Sequence, residues 1–267
     1  MSADDLVRDH YSRDGLEQVV LDALRAAGVD IDALQVGDLA GVDQLHAGFG
    51  AATEHLLDAL DLTPGSRLLD VGSGAGGPAR TAAARHGCHV TGIDLSPDLV
   101  DLARALTARV GLADLVTHEL GSATSLPYDA RTFDRAMLDH VGMNIADKAQ
   151  VFAEVRRVLQ PGGRFAVYEQ MRIGDGDLTY PLPWAEDEAS SFVETRTRYV
   201  ELLTDAGFAI ELDEDRTAAN AAGGPPAPGP LNPGVLFGDG FDERITNNIL
   251  AAMTGTLGAV LIVARAV

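Results

Sequence analysis

The spacing of apolar positions divides the chain into two regimes. In the first, Leu16, Val19, Val20, Ala23 and Leu24 recur at helical intervals up to a stop at Gly28, and helical patterning extends over Asp4 to Leu60. This predicts an N-terminal helical cap over residues 1–65. Within it, the stretch Asp43-Gln44-Leu45-His46-Ala47-Gly48-Phe49-Gly50-Ala51-Ala52-Thr53 is polar and glycine-containing, and it leads into a helix predicted from Thr53 to Leu60. In the second regime, from Ser66 onward, short apolar runs alternate with helix-length segments. Strands are predicted to end at Val71, Ile93, Glu119, Asp139 and Glu169, with helices at Gly77 to His86, Pro97 to Val110 and Ala146 to Leu159 among them. A helix Glu194 to Ala206, a strand Phe208 to Asp213, a helix Asp242 to Met253 and a strand Leu257 to Ala264 complete the pattern. Such alternation builds an α/β domain, here residues 66–267: a mostly parallel seven-stranded sheet with helices on both faces and ligands at the strands' carboxyl ends.

Two segments interrupt the alternation. Residues 171–195 contain the turn Gly174-Asp175-Gly176-Asp177 and the run Tyr180-Pro181-Leu182-Pro183-Trp184, with the chain's one tryptophan. They read as an insertion after the fifth strand, either a lid over the pocket or a rigid loop packed on the body. Residues 218–234 hold five of the twelve prolines and no periodicity, which predicts a linker or mobile loop.

The first strand of the sheet runs into Leu68-Leu69-Asp70-Val71-Gly72-Ser73-Gly74-Ala75-Gly76-Gly77, a glycine loop of the Rossmann-like type. Gly72, Gly74 and Gly77 satisfy G-x-G-x-x-G, so the spacing alone serves a dinucleotide such as NAD or FAD. Asp70 alters that balance. A carboxylate two residues before the first glycine sits poorly beside a pyrophosphate but suits a ligand carrying an ammonium and a sulfonium. The second strand ends in Asp94, where an acid can accept hydrogen bonds from both ribose hydroxyls of either ligand.

Composition narrows the function classes. Forty acids against twenty bases give a formal charge of −20, which opposes binding nucleic-acid phosphate over a broad surface. Lys148 is the single lysine, and the acidic bias fits salt adaptation or a GC-rich genome equally well. The single Cys88 rules out an intrachain disulfide and a cysteine metal cluster, and fits a reducing compartment. No basic start precedes a long apolar run. The expectation is a cytoplasmic enzyme with a small-molecule partner, no nucleic acid, no membrane and no metal; a homo-oligomer stays open.

Further along, Gly121-Ser122-Ala123-Thr124-Ser125-Leu126-Pro127-Tyr128, the strand Phe133 to Asp139, and Val158-Leu159-Gln160-Pro161-Gly162-Gly163-Arg164 follow in an order and at intervals that resemble the class I S-adenosylmethionine-dependent methyltransferases. Asp43 to Thr53, Asp139-His140-Val141-Gly142-Met143-Asn144-Ile145, Phe165 to Met171 and Tyr180 to Trp184 narrow the resemblance to small-molecule methyltransferases. These include the sarcosine and dimethylglycine N-methyltransferases and, more distantly, those of quinone and tocopherol biosynthesis. The resemblance implies S-adenosylmethionine as co-substrate, held by Gln44, Asp70, Gly72, Gly74, Asp94, Leu95, Ser122, Ala123 and Asp139. It also implies that His46 and His140 lie near the methyl group, with Tyr168 at the fifth strand's end as a third catalytic candidate. Related sequences carry Asp where this one has Ser122, so the adenine amino group meets an uncharged acceptor here. The acceptor, by this resemblance, is an amine such as a methylated glycine or the hydroxyl of a secondary metabolite. Two alternatives stand beside it: the same fold using bound S-adenosylmethionine structurally for a cyclisation or rearrangement, and an NAD-dependent oxidoreductase.

The charge balance carries one prediction. Self-repulsion at −20 is screened as the Debye length shrinks to about 3 Å near 1 M salt, so the melting temperature should rise from dilute buffer to molar potassium chloride. A flat melting temperature across that range would show that the acids are already dispersed or paired.

Overall fold

The structure is a computed structural model that describes every residue except 1–10, 12, 14, 45, 224–230 and 239. The start of the predicted cap helix at Asp4, Leu45 of the polar stretch, and four prolines of the 218–234 segment therefore lie outside the described residues.

Seven strands form one sheet: β1 (Arg67–Val71), β2 (His89–Asp94), β3 (Val116–Leu120), β4 (Phe133–Asp139), β5 (Leu159–Arg172), β6 (Phe208–Asp215) and β7 (Leu257–Ala266). Their order is β3-β2-β1-β4-β5-β7-β6, with β1 to β5 parallel and β7 antiparallel between β5 and β6. The chain thus builds outward from β1 in one direction, through β2 and β3, and then returns to place β4 on the other side. The crevice at the carboxyl ends of β1 and β4 is where such a reversal leaves room for a ligand.

Helices cover both faces. On one, α3 (Phe49–Leu60) and α4 (Gly77–His86) bury Leu56, Leu57, Leu60, Ala79, Ala82 and Ala83 against Leu68, Val90 and Val263. On the other, α6 (Lys148–Val158) and α7 (Arg196–Asp205) close a core built on Phe152, Phe165, Tyr199 and Phe208. A third cluster joins α1 (Leu16–Ala26) and α2 (Val36–Asp43) to α5 (Pro97–Arg109) through Val20, Leu21, Leu24, Leu39, Leu102 and Leu106, so the cap is packed on the sheet's own helices. Local chemistry sets the boundaries. Ser96 caps α5 by accepting from the Leu99 N–H, with Pro97 at the first turn, and Asp147 caps α6 by accepting from Gln150.

The structure corrects two expectations. The helix predicted to begin at Thr53 begins at Phe49, immediately after Gly48 in the left-handed region, so half of the polar stretch is helical. The 218–234 segment is not a continuous loop: α8 (Thr217–Gly223) and the short α9 (Gly234–Phe237) flank its undescribed middle, because the alanine-rich run Ala218-Ala219-Asn220-Ala221-Ala222 favours helix. The insertion, which the sequence reads either as a lid or as a loop packed on the body, lies against the body. Leu182, Trp184 and Ala185 pack on Met143, on Ala251 of α10 (Phe241–Met253) and on Leu257, and Trp184 Nε1 donates to Ser191 Oγ. Among the described residues no helix is long and apolar enough to cross a membrane.

Candidate functional site

A cavity opens at the carboxyl ends of β1, β2 and β4. Asp70, Gly72, Gly74, Asp94, Leu95, Ser122, Ala123, Asp139, His140 and His46, all named from the sequence, line it. Gln44 and Tyr168 stand one layer behind.

The glycine loop is shaped by close approach. Gly72 has φ +75°, and a Cβ there would run into the Val141 methyl groups, so only glycine lets the loop pass under the turn that follows β4. The loop is tied to β2 by the Gly72 and Ser73 N–H groups, which donate to Ile93 O at 2.7 and 3.0 Å. Asp94 is oriented in the same way: Gly74 N donates to its Oδ2 at 2.8 Å and Ser96 N to its Oδ1 at 2.9 Å. Burial raises the Asp94 carboxyl above its ordinary range against those hydrogen bonds.

Three carboxylates converge here. Asp70 is buried, and its Oδ2 has no hydrogen bond among the described residues; the same holds for Asp139 Oδ2 and Ser73 Oγ. Burial, and then the neighbouring Asp139 and Asp94, hold the Asp70 carboxyl well above the usual carboxylate range. A cation placed among these groups would supply the partner that each orphaned oxygen lacks.

The cap meets the glycine loop closely at one point: a Cβ on Gly77, the first residue of α4, would collide with the backbone carbonyl and carboxyl carbon of Asp43, the last residue of α2. Asp43 Oδ2 is held at 2.8 Å by Arg80 Nη2, and the pair is fully buried. Arg80 also donates to Ala75 O, Ala103 O and Thr107 Oγ1. Asp43 Oδ1 has no hydrogen bond among the described residues, so Arg80 supplies the ion pair that answers this buried carboxyl.

The two histidines come from opposite sides. His140 follows β4 at φ +55°, a strained conformation for a residue with a side chain. Its Nδ1 lies 3.1 Å from Asp139 Oδ1 and from Tyr168 O, and its Nε2 accepts from Ala47 N at 3.2 Å. His46 enters from the cap. Its Nε2 meets Gln44 Oε1 at 2.9 Å, Thr53 Oγ1 at 2.8 Å and Asp139 Oδ2 at 3.6 Å. Burial lowers the His46 pKa, with Asp139 opposing, which favours the neutral imidazole. The Tyr168 ring packs 4.9 Å from that of His140, while its hydroxyl donates to Ala47 O and accepts from Asn220 Nδ2. Tyr168 and Gln44 therefore orient the histidines. Among the described residues no group of three or more His, Cys, Asp or Glu side chains is placed to hold a metal ion.

Residues 69–167, from β1 through most of β5, match the model of the Methyltransferase domain family. The chain is 37% identical over 130 residues to the methyltransferase GfsG of Streptomyces halstedii, covering 49% of this chain and 47% of that one. It spans between 28% and 60% of the length of the curated relatives it matches. Among solved structures, geranyl diphosphate C-methyltransferase from Streptomyces coelicolor A3(2) is 19% identical with a TM-score of 0.71, over 100% of this chain and 99% of that chain. The [4+2]-cyclase SpnF is 22% identical with a TM-score of 0.69, over 100% and 97%. Both likenesses describe the fold.

The cavity also has walls that sequence patterning does not single out. Tyr11 and Phe237 line it and pack edge to face at 5.8 Å, and Phe237 stacks in turn on Phe241. No periodicity in the sequence marks either residue; Phe237 closes α9, which is a single turn long. Ser122 Oγ is engaged with Thr124, at 2.9 Å from its hydroxyl. Arg172, at the end of β5, donates to Gly176 O and is absent from the cavity lining. Arg80 did carry a sequence signal: it is the one charged residue in Pro78-Ala79-Arg80-Thr81-Ala82-Ala83-Ala84.

That pair yields a prediction. Arg80→Met leaves Asp43 charged and unpaired in the interior and should destabilise the fold by ~3–5 kcal/mol, whereas Arg80→Met with Asp43→Asn should recover most of the loss. Denaturant midpoints of the two variants measure this; equal losses would mean that the pairing is not what Arg80 contributes.

Proposed function

We propose that this chain is an S-adenosylmethionine-dependent methyltransferase acting on the nitrogen or oxygen of a small acceptor. One observation carries the reading. The cavity at the β1/β4 crevice is walled by Asp70, Asp94 and Asp139, two of them with an orphaned buried oxygen. A ligand bearing an ammonium and a sulfonium answers those groups, whereas a pyrophosphate would add negative charge beside them. The methyltransferase-domain match and the S-adenosylmethionine or S-adenosylhomocysteine complexes among the structural neighbours support it.

In this reading Asp94 holds the ribose, Asp70 and the glycine loop face the methionyl end, and Leu95, Ser122 and Ala123 flank the adenine. Bound there, the cofactor supplies an electrophilic methyl group on a sulfonium. The chain's own residues align the acceptor and exclude water. His46, neutral by burial and oriented by Gln44 and Thr53, faces the cavity as a base for a hydroxyl acceptor; Asp139 would stabilise the imidazolium formed. A tertiary amine that binds neutral needs no such base.

S-adenosylhomocysteine should raise the melting temperature and NAD should not; the reverse ranking would sink the assignment. Asp94→Ala removes two charge-assisted hydrogen bonds, roughly 1.5 to 3 kcal/mol each, so calorimetry should show a loss of cofactor affinity well beyond tenfold. A smaller loss would remove Asp94 from the ribose site.

His46→Asn should leave cofactor binding within a few-fold and reduce turnover on a hydroxyl acceptor by about a hundredfold, read as S-adenosylhomocysteine release, with a smaller loss on a tertiary amine. Full activity in both His46→Asn and His140→Asn would leave positioning as the whole of catalysis. Consumption of a substrate without S-adenosylhomocysteine release would move the assignment to a cyclisation or rearrangement.

A further inference from the structure

Behind the cavity wall lies a buried polar cluster that the reading above does not use. Glu169, at the carboxyl end of β5, is fully buried. Its Oε1 accepts from two consecutive backbone groups, Val141 N at 3.0 Å and Gly142 N at 2.7 Å, while its Oε2 has no hydrogen bond among the described residues. These two N–H groups open the 3₁₀ turn Gly142–Asn144, which follows directly on His140. Gly142 is pinned from the far side as well: a Cβ there would collide with the Tyr199 hydroxyl and meet Glu169 Oε1. The other end of the turn is gripped by Lys148, whose buried ammonium donates to Ile145 O and to Phe192 O of the insertion.

The turn therefore hangs between an acid at its N–H end and an amine at its C=O end. What it carries is the cavity wall. Val141, Asn144 and Ile145 line the cavity, Val141 packs onto Gly72 of the glycine loop, and His140 keeps its left-handed backbone just before the first gripped N–H.

We infer that Glu169 is a positioning residue: its carboxylate, chelating the Val141 and Gly142 N–H groups, holds the turn after β4 against the glycine loop and so sets both the cofactor cavity and the His140 ring. The inference rests on that cavity being the cofactor site. A carboxylate accepts such a pair of N–H groups more strongly than a neutral acid does. Burial pushes the Glu169 carboxyl up to about 7, so its grip weakens as pH falls through neutrality. The groups facing it are His140 and Asp139 from β4, Lys148 from α6, Tyr199 from α7 and Tyr11. Lys148 is lowered to about 8 by burial, so at and below neutral pH it stays a cation beside Glu169.

The same burial has a stability consequence of opposite sign. Because its folded pKa is raised, Glu169 favours the folded state most when protonated, and that contribution is lost as pH rises from the ordinary carboxylate range to about 7. Position is gained where stability is given up.

Calorimetry of S-adenosylhomocysteine binding between pH 6 and 8, with melting curves, tests this. The wild-type chain should bind more tightly at pH 8 than at pH 6, and Glu169→Gln should flatten that dependence and melt higher than the wild type at pH 8 but not at pH 5. Glu169→Leu, which leaves two buried N–H groups without an acceptor, should lose about tenfold or more in affinity. If Glu169→Leu does not fold, the comparison of Glu169→Gln with the wild type decides alone. A Glu169→Gln variant that keeps the wild-type pH dependence, or a folded Glu169→Leu that binds as the wild type does, overturns the inference. Failure of the wild type to bind S-adenosylhomocysteine at any pH would instead overturn the assignment of the cavity.

Discussion

The constraint on which the rest of the site depends is negative charge in a place that water barely reaches. Asp70, Asp94 and Asp139 lie at the carboxyl ends of three adjacent parallel strands, so the fold itself gathers their side chains at one edge. Burying a carboxylate is costly unless something answers its charge. Asp94 is answered by backbone N–H groups of the glycine loop and of the turn after β2. Asp139 is answered in part by the His140 ring. Asp70 is left with burial and two like charges, which is a poor arrangement for the protein alone and a good one for receiving a cation.

The cap does not merely lie over this edge; it is wired to it. Ala47 donates its N–H to His140 and offers its carbonyl to Tyr168, so a single residue of the cap registers the ends of both β4 and β5. Asn220 of α8 donates to the same Tyr168 hydroxyl. Asp43, just upstream of Ala47, is fastened through Arg80 to α4 and, by Arg80's other hydrogen bonds, to α5. Displacing the cap would therefore strip partners from buried groups on both sides of the sheet, so the cap and the sheet edge behave as one unit.

Much of this is legible in the sequence, and the limits are physical. Strand ends, the glycine loop, Asp70 and Asp94 are set by local pattern, because a parallel strand is a continuous apolar run and its carboxyl end is where the run breaks. Gly77 to His86 coincides with α4 for the same reason: a glycine-proline start and a glycine stop. The helix of 217–223 is hidden by the prolines that follow it, which dominate the composition of any window that contains both. The insertion reads equally as a lid or a packed loop because its sequence is irregular, and what decides is Trp184 meeting Met143 and Ala251, residues far apart in the chain, a pairing with no local signature. Tyr168 and Glu169 are adjacent, and alternation requires that they face opposite sides of β5. They do: Tyr168 meets the cap's Ala47, and Glu169 meets the turn of Gly142.

The glycine fingerprint gives the sharpest case of what spacing leaves undecided. Gly72, Gly74 and Gly77 specify a tight turn and a helix whose first N–H groups point toward the crevice, and that much serves a pyrophosphate or a sulfonium ligand alike. What separates the two here stands at the strand ends. Asp70, Asp94 and Asp139 converge on the crevice, and Asp70 Oδ2 and Asp139 Oδ2 are buried without a hydrogen bond among the described residues. A pyrophosphate brought to the glycine loop would add negative charge beside those groups, whereas an ammonium or a sulfonium would answer them. The same backbone loop, set among acids, thus favours a ligand that carries positive charge.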